Sequence, residues 1–124
     1  MKLILSFLLL LLYSSTLPLL ALAAPTTSIS LTKDRRFVYL KFSDLTNVSK
    51  VNYTLVYDSN RGQKGLEGGF KLKPRTRRSS RRQILGTCSS GRCVYHQGIK
   101  NVQLDATFTL RSGGTVNVTK TLLP

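Results

Sequence analysis

The sequence of this 124-residue chain predicts an all-β protein, a single antiparallel β-sandwich of about six or seven short strands behind an N-terminal leader. Three observations carry that prediction. Apolar and polar residues alternate with a period of two in several separate runs, the pattern of strands with one buried face. No stretch sustains a helical period. Turn signals containing glycine separate the runs, and short strands punctuated in this way favour a sandwich over a layered α/β fold.

The leader comes first. Lys2 supplies a positive start, and Leu3 to Leu22 is an apolar run broken by Ser6, the Tyr13–Thr16 stretch and Pro18. Ala21-Leu22-Ala23 is a small-x-small cleavage site, so residues 1–23 are expected to be a signal peptide and 24–124 the mature domain. About 20 apolar residues can also span a bilayer; Pro18 and the Ala-Leu-Ala site favour cleavage over an anchor. The expected location is secreted or extracytoplasmic, at the cell surface. The chain ends at Leu122-Leu123-Pro124, and no C-terminal anchor is expected.

The strands follow in order. Ile29 and Leu31 suggest a short opening strand. Val38, Leu40 and Phe42 alternate with Tyr39, Lys41 and Ser43, and Val51, Tyr53, Leu55 and Tyr57 with Asn52, Thr54 and Val56. Leu66 to Leu72 reads as a glycine-rich edge strand, and Gln83 to Thr87 as another short one. The clearest run is Val102, Leu104, Ala106, Phe108 and Leu110. After the Ser112-Gly113-Gly114 turn, Val116, Val118 and Leu122 return beside it, completing a hairpin. Leu104, Ala106 and Phe108 are therefore expected in the core, with Val116 and Val118 next to them.

Charge is the second feature. Without Lys2 the mature segment holds 18 bases against five acids, net +13. Such an excess attracts polyanions at long range. No acid falls between Gly68 and Leu104, an interval that carries nine bases. The candidate binding segment is Lys71, Lys73, Arg75, Arg77, Arg78, Arg81 and Arg82, with Arg92 and Lys100 as neighbours and Phe37 and Tyr39 adding contact area. In an extended chain Lys71, Lys73, Arg75 and Arg77 fall on one side. Pro74 argues for an edge or a loop. Guanidinium groups pair bidentately with phosphate and carboxylate, which suits an anionic polymer. A solvated loop that merely keeps the protein soluble is the plainer reading. Arg75-Thr76-Arg77-Arg78 also resembles a dibasic processing site, but a cut there severs the domain. The segment contributes almost nothing apolar, so replacing its arginines is expected to leave the fold intact.

Nucleic acid is one polyanion. Single-strand binders interleave aromatic residues with basic ones so that bases can stack. No aromatic residue lies between Lys71 and Arg92, the nearest being Phe70 and Tyr95. Contacts along the segment are therefore expected to be with phosphate and without sequence preference. Teichoic acid, acidic polysaccharide and lipopolysaccharide meet the same electrostatic requirement, and an extracytoplasmic location favours them.

Cys88 and Cys93 flank Ser89-Ser90-Gly91-Arg92, and in an oxidising compartment they are most simply a disulfide. Closing so small a ring is worth roughly 2 kcal/mol on the chain-entropy estimate. A redox pair wants Cys-x-x-Cys, a shorter spacing. A metal site recruiting His96 lacks a fourth ligand, so neither a metal nor a cofactor is expected. Catalysis finds little support. Asp34, Asp44, Asp58, Glu67 and Asp105 are scattered, and His96 is the sole histidine, with no nucleophile signature beside it. Asn47, Asn52 and Asn117 each begin an Asn-x-Ser/Thr glycosylation pattern, expected to be fortuitous in strands so rich in Asn and Thr unless the source is eukaryotic.

The run from Phe37 to Asn60, the GTCSSGRCVYH segment from Gly86 to His96, and the run from Gly98 to Lys120 resemble a group of small secreted proteins of ultra-small, host-dependent bacteria. These are single immunoglobulin- or fibronectin-III-like domains. The resemblance covers most of the mature chain and implies a β-sandwich exported by a bacterium, with no particular activity. Tryptophan is absent here, a departure from ordinary fibronectin-III domains. The expected function is that of a non-enzymatic binding module docking onto anionic cell-envelope or host-surface polymers. The alternative is a structural or adhesion-type envelope component that pairs with a protein partner by strand addition. A third class, a membrane-disrupting effector, wants a cationic amphipathic helix.

Overall fold

The computed structural model describes residues 23–122, so the expected signal segment, Ala23 apart, lies outside the described residues. Among the described residues nine strands follow one another: β1 (Thr26–Leu31), β2 (Phe37–Ser43), β3 (Val48–Ser59), β4 (Gly62–Lys71), β5 (Ser79–Ile84), β6 (Gly86–Ser89), β7 (Arg92–Tyr95), β8 (Lys100–Leu110) and β9 (Thr115–Leu122). They form a three-stranded sheet in the order β1-β2-β5, a four-stranded sheet in the order β4-β3-β8-β9, and the β6-β7 hairpin. Every pairing is antiparallel.

Alternation builds the interior. Val38, Leu40 and Phe42 of β2, Val51, Tyr53, Leu55 and Tyr57 of β3, and Val102, Leu104, Ala106 and Phe108 of β8 are buried in one cluster. Register aligns them in rows, with Val51 opposite Phe108, Tyr53 opposite Ala106 and Leu55 opposite Leu104. Val116 and Val118 extend two of those rows onto β9, half-buried. Phe42 joins the two sheets. Its ring packs on Tyr53, Phe70 and Phe108 of the other sheet, with centroids 5.6–6.0 Å apart. Aromatic pairs at such separations add to what burial alone supplies.

Turn chemistry fixes the connections. In the β6-β7 turn Ser90 and Gly91 both have positive φ, 50° and 77°. That is the twist a two-residue hairpin requires, and it sets Cys88 directly opposite Cys93. Gly113 and Gly114, at φ 104° and 79°, turn β8 back into β9.

The count of nine exceeds the six or seven expected for two local reasons. Gln83–Thr87, expected as one strand, is divided at Leu85, which turns inward and is fully buried. Its N–H donates to Arg36 O and its carbonyl accepts from His96 N–H, so the chain leaves the sheet there. The second strand of the cysteine hairpin, β7, lies mostly exposed and so lacks the alternation that reveals a strand.

Candidate functional site

The chain crosses from β4 to β5, and so from one sheet to the other, through the basic segment. Lys71 is the last residue of β4, paired with Lys50 on the outer face of the four-stranded sheet. Lys73, Arg75, Arg77 and Arg78 lie in the crossover and are exposed. The chain is not extended there. Pro74 and Arg75 form a turn closed by Thr76 N–H on Lys73 O at 3.3 Å, with Arg75 at φ 74°. Pro74 favours a turn, and the turn ends the every-second-residue stripe expected from Lys71 to Arg77. Main-chain groups tie the crossover at both ends: Leu72 N–H donates to Ser49 O, Arg111 Nη2 to Leu72 O at 2.7 Å, and Leu45 N–H to Arg77 O.

Arg81 and Arg82 part company because they have opposite parity on β5. Arg81 pairs with Leu40, on the inward side, and its guanidinium lies 4.1 Å from the centroid of the Phe70 ring. It therefore covers the aromatic cluster where the β5 and β4 edges meet. Beside it Gln83 Nε2 donates to the Tyr53 hydroxyl, which passes over Gly68; a Cβ at Gly68 would collide with that hydroxyl. Arg82 pairs with Tyr39, on the outward side, and stacks 4.6 Å from the centroid of Phe37.

The seven residues of the segment are thus divided among one outer face, a crossover, a sheet edge and the opposite outer face. Arg92 sits near the tip of the β6-β7 hairpin. Lys100 is opposite Asp58 at the far end of β3 from Lys71, about 25 Å away at the rise of a strand.

Folding brings in other groups that adjacency in sequence did not reveal. The Phe37 ring meets Tyr95 edge-on at 6.0 Å, and Arg36 stacks 4.6 Å from the Tyr95 centroid. Arg36, Tyr95, Phe37 and Arg82 form a continuous column from three separate segments. It continues along β2. Tyr39 is flanked by Ser30 and Arg82, and Lys41 by Ser28 and Ser80, all on the outer face of the three-stranded sheet. Two hollows mark its ends. One, of about 270 Å³, is lined by Arg35, Arg36, Tyr95, His96 and their neighbours. The other, of about 350 Å³, is lined by Lys41, Ser43, Arg78 and Ser80 among others. The outward parity of Phe37, Tyr39 and Lys41 was legible as alternation, but Arg36 and Tyr95 carried no local signal.

Neutral donors hold three of the acids. Asp34 accepts from the Thr32 hydroxyl and the Arg36 N–H, which hold its carboxyl below the usual range, and the charge of Arg36, which lines the same hollow, adds to that effect. Asp58 accepts from Asn101 Nδ2, and Asp105 from the Thr119 hydroxyl and Gln103 Nε2. Glu67 and Asp105 flank Thr54 on the outer face of the four-stranded sheet, away from the column.

Cys88 and Cys93 are disulfide-bonded. His96 shares a 2.7 Å hydrogen bond with the hydroxyl of Tyr57, whose burial raises its pKa above the ordinary 10.0. With both sulfurs bonded to each other, the Cys-Cys-His set cannot bind a metal through thiolates. Searches of the family models, of the curated proteins and of the solved structures returned no match to this chain.

Proposed function

We propose that this chain is an exported, basic, immunoglobulin- or fibronectin-III-like β-sandwich module that associates with anionic cell-envelope or host-surface polymers. Three strands against four around one core, with the chain crossing between sheets at β2-β3, β4-β5 and β5-β8, support the sandwich assignment. The disulfide is compatible with an extracytoplasmic location.

The observation that carries the functional reading is the disposition of charge. Lys71, Lys73, Arg75, Arg77, Arg78, Arg81 and Arg82 are all exposed on a backbone tied to both sheets, and three acids are held by neutral donors. Arg81 donates to Ser80 O and stacks on Phe70; the other six present their charge to solvent, where external anions reach it. Arginine offers bidentate hydrogen bonds to sulfate, phosphate or carboxylate, and each polymer charge neutralised releases a counterion. The test is binding of residues 24–124 to immobilised polyanions at several salt concentrations. Affinity should fall steeply with salt; binding that is absent or indifferent to salt overturns the reading.

Strand addition is supported by the place of β4 at the end of its sheet, where Gly65 and Gly69 carry no side chain. Its signature is salt-insensitive co-purification with one protein.

A further inference from the structure

We infer that the polymer is an anionic polysaccharide and that it lies along β2, across the outer face of the three-stranded sheet, rather than on the arginine-rich crossover. The inference rests on the polyanion-binding reading above and names its surface and its partner class. The gripping groups are Arg36, Arg82 and Lys41, set among the rings of Phe37, Tyr39 and Tyr95.

Preorganisation separates this face from the crossover. A free arginine side chain must surrender its rotamer freedom when it binds, which weakens the complex. Arg82 and Arg36 are already stacked, each 4.6 Å from a ring centroid, and the two rings brace each other edge to face. Stacking occupies the flat side of a guanidinium and leaves its N–H edges for an anion. Lys73, Arg75 and Arg77 have no stacking partner among the described residues and stand exposed in the crossover.

The track has direction and length. Its cations run from Arg36 at the start of β2, past Arg82, to Lys41, with Arg78 beyond in the hollow that Lys41 also lines. Strand β2 alone covers about 20 Å at the rise of an extended chain. That shape fits a linear polymer with regularly spaced charges.

The same contacts select polysaccharide over single-stranded nucleic acid. Base stacking needs open ring faces, and Arg82 lies over Phe37 while Arg36 lies over Tyr95. Tyr39 remains, 39% exposed. Around it Ser28, Ser30 and Ser80 present hydroxyls on the same face, suited to sugar hydroxyl groups.

The test uses residues 24–124 with the disulfide formed, and three probes: sulfated dextran, polygalacturonate and oligodeoxythymidine. Three variants are compared: a face set (Arg36→Gln, Lys41→Gln, Arg82→Gln), a loop set of equal charge change (Lys73→Gln, Arg75→Gln, Arg77→Gln), and Tyr39→Ser with Tyr95→Leu, which keeps the charge. Thermal unfolding and the linked cysteine peptide check that each variant folds, and Tyr39→Ser alone serves if the double variant does not. The face set should weaken polysaccharide binding about tenfold more than the loop set and flatten its salt dependence. The ring variant should cost about fivefold with the salt dependence unchanged. Equal losses from the face and loop sets, or no loss from the ring variants, overturn this inference and leave the polyanion reading standing. Tighter binding of oligodeoxythymidine than of both polysaccharides overturns the partner class. Salt-sensitive binding to none of the three overturns the parent reading as well.

Discussion

Along β2 the outward residues are Phe37, Tyr39 and Lys41, with Arg82 beside them on β5; along β8 they are Gln103, Asp105 and Thr107, between Asn52 and Thr54 of β3 and Asn117 and Thr119 of β9. One outer face is cationic and aromatic. The other is mostly hydroxyls and amides, with Glu67 and Asp105 near its centre and lysines, Lys50 with Lys71 and Lys100, confined to its two ends. The same alternation built both, and both cover one shared interior. Alternation therefore decides which residues face inward. What an outer face is fit for depends on which strands become neighbours, and Arg82 meets Phe37 only because β5 crosses over to pair with β2.

The largest expected effect tests the inside-outside assignment on which both faces rest. Phe108 is fully buried against Phe42, and Phe108→Ala should cost about 3–5 kcal/mol in chemical denaturation. Thr107, the next residue, is part-exposed and donates a hydrogen bond to Asn117 at 2.9 Å. Thr107→Ala should cost no more than about 1 kcal/mol. Equal costs would mean that β8 is out of register and that neither outer face is composed as described.

A second comparison divides adjacent arginines. The sequence suggested that replacing any arginine of the basic segment leaves the fold intact. Arg81 is the exception, because it stacks on Phe70 at the edge of the core and an arginine stem covers apolar surface. Arg81→Gln should destabilise by about 1–2 kcal/mol. Arg82→Gln, on the outward side, should stay within about 0.5 kcal/mol. Were Arg82 the costlier of the two, its stack on Phe37 would be part of the framework and not a surface held ready for a ligand.

The interior was legible because it depends only on parity: Val102, Leu104, Ala106 and Phe108 declare themselves over eleven residues, and the Gly113-Gly114 turn locates their partner. The candidate surface was legible only in part. Arg82 stood out within a run of bases, and Phe37 and Tyr39 by falling on the polar parity of their strand. Arg36 and Tyr95 did not, since a cation–aromatic stack between residues so far apart in sequence leaves no periodic trace. The missing aromatic interleaving that argued against stacking was likewise a property of the linear chain. In the fold Phe70, Phe37 and Tyr95 each carry an arginine.

The smallest effect concerns how the two regions are joined. Tyr57 belongs to the buried side of the four-stranded sheet, and its hydroxyl reaches His96, which follows the Tyr95 of the cationic column. Tyr57→Phe removes that link and should cost about 0.5–1.5 kcal/mol at neutral pH. The pH dependence gives a sharper reading. Burial holds the phenol above its ordinary pKa of 10.0, so the unfolded chain releases this proton before the folded one does. The stability that depends on a protonated Tyr57 is complete below pH 10 and is lost as pH rises through the folded-state value. Denaturation of wild type and Tyr57→Phe across that range should show the gap between them shrinking above pH 10, because the variant has no proton to lose there. A gap that stays constant means that Tyr57 titrates as it does in the unfolded chain. The aromatic end of the cationic face is held in addition by the Leu85 main-chain bonds, by Asn60 N–H on Gln97 O and by the β6-β7 hairpin, so its position does not rest on the Tyr57 link alone.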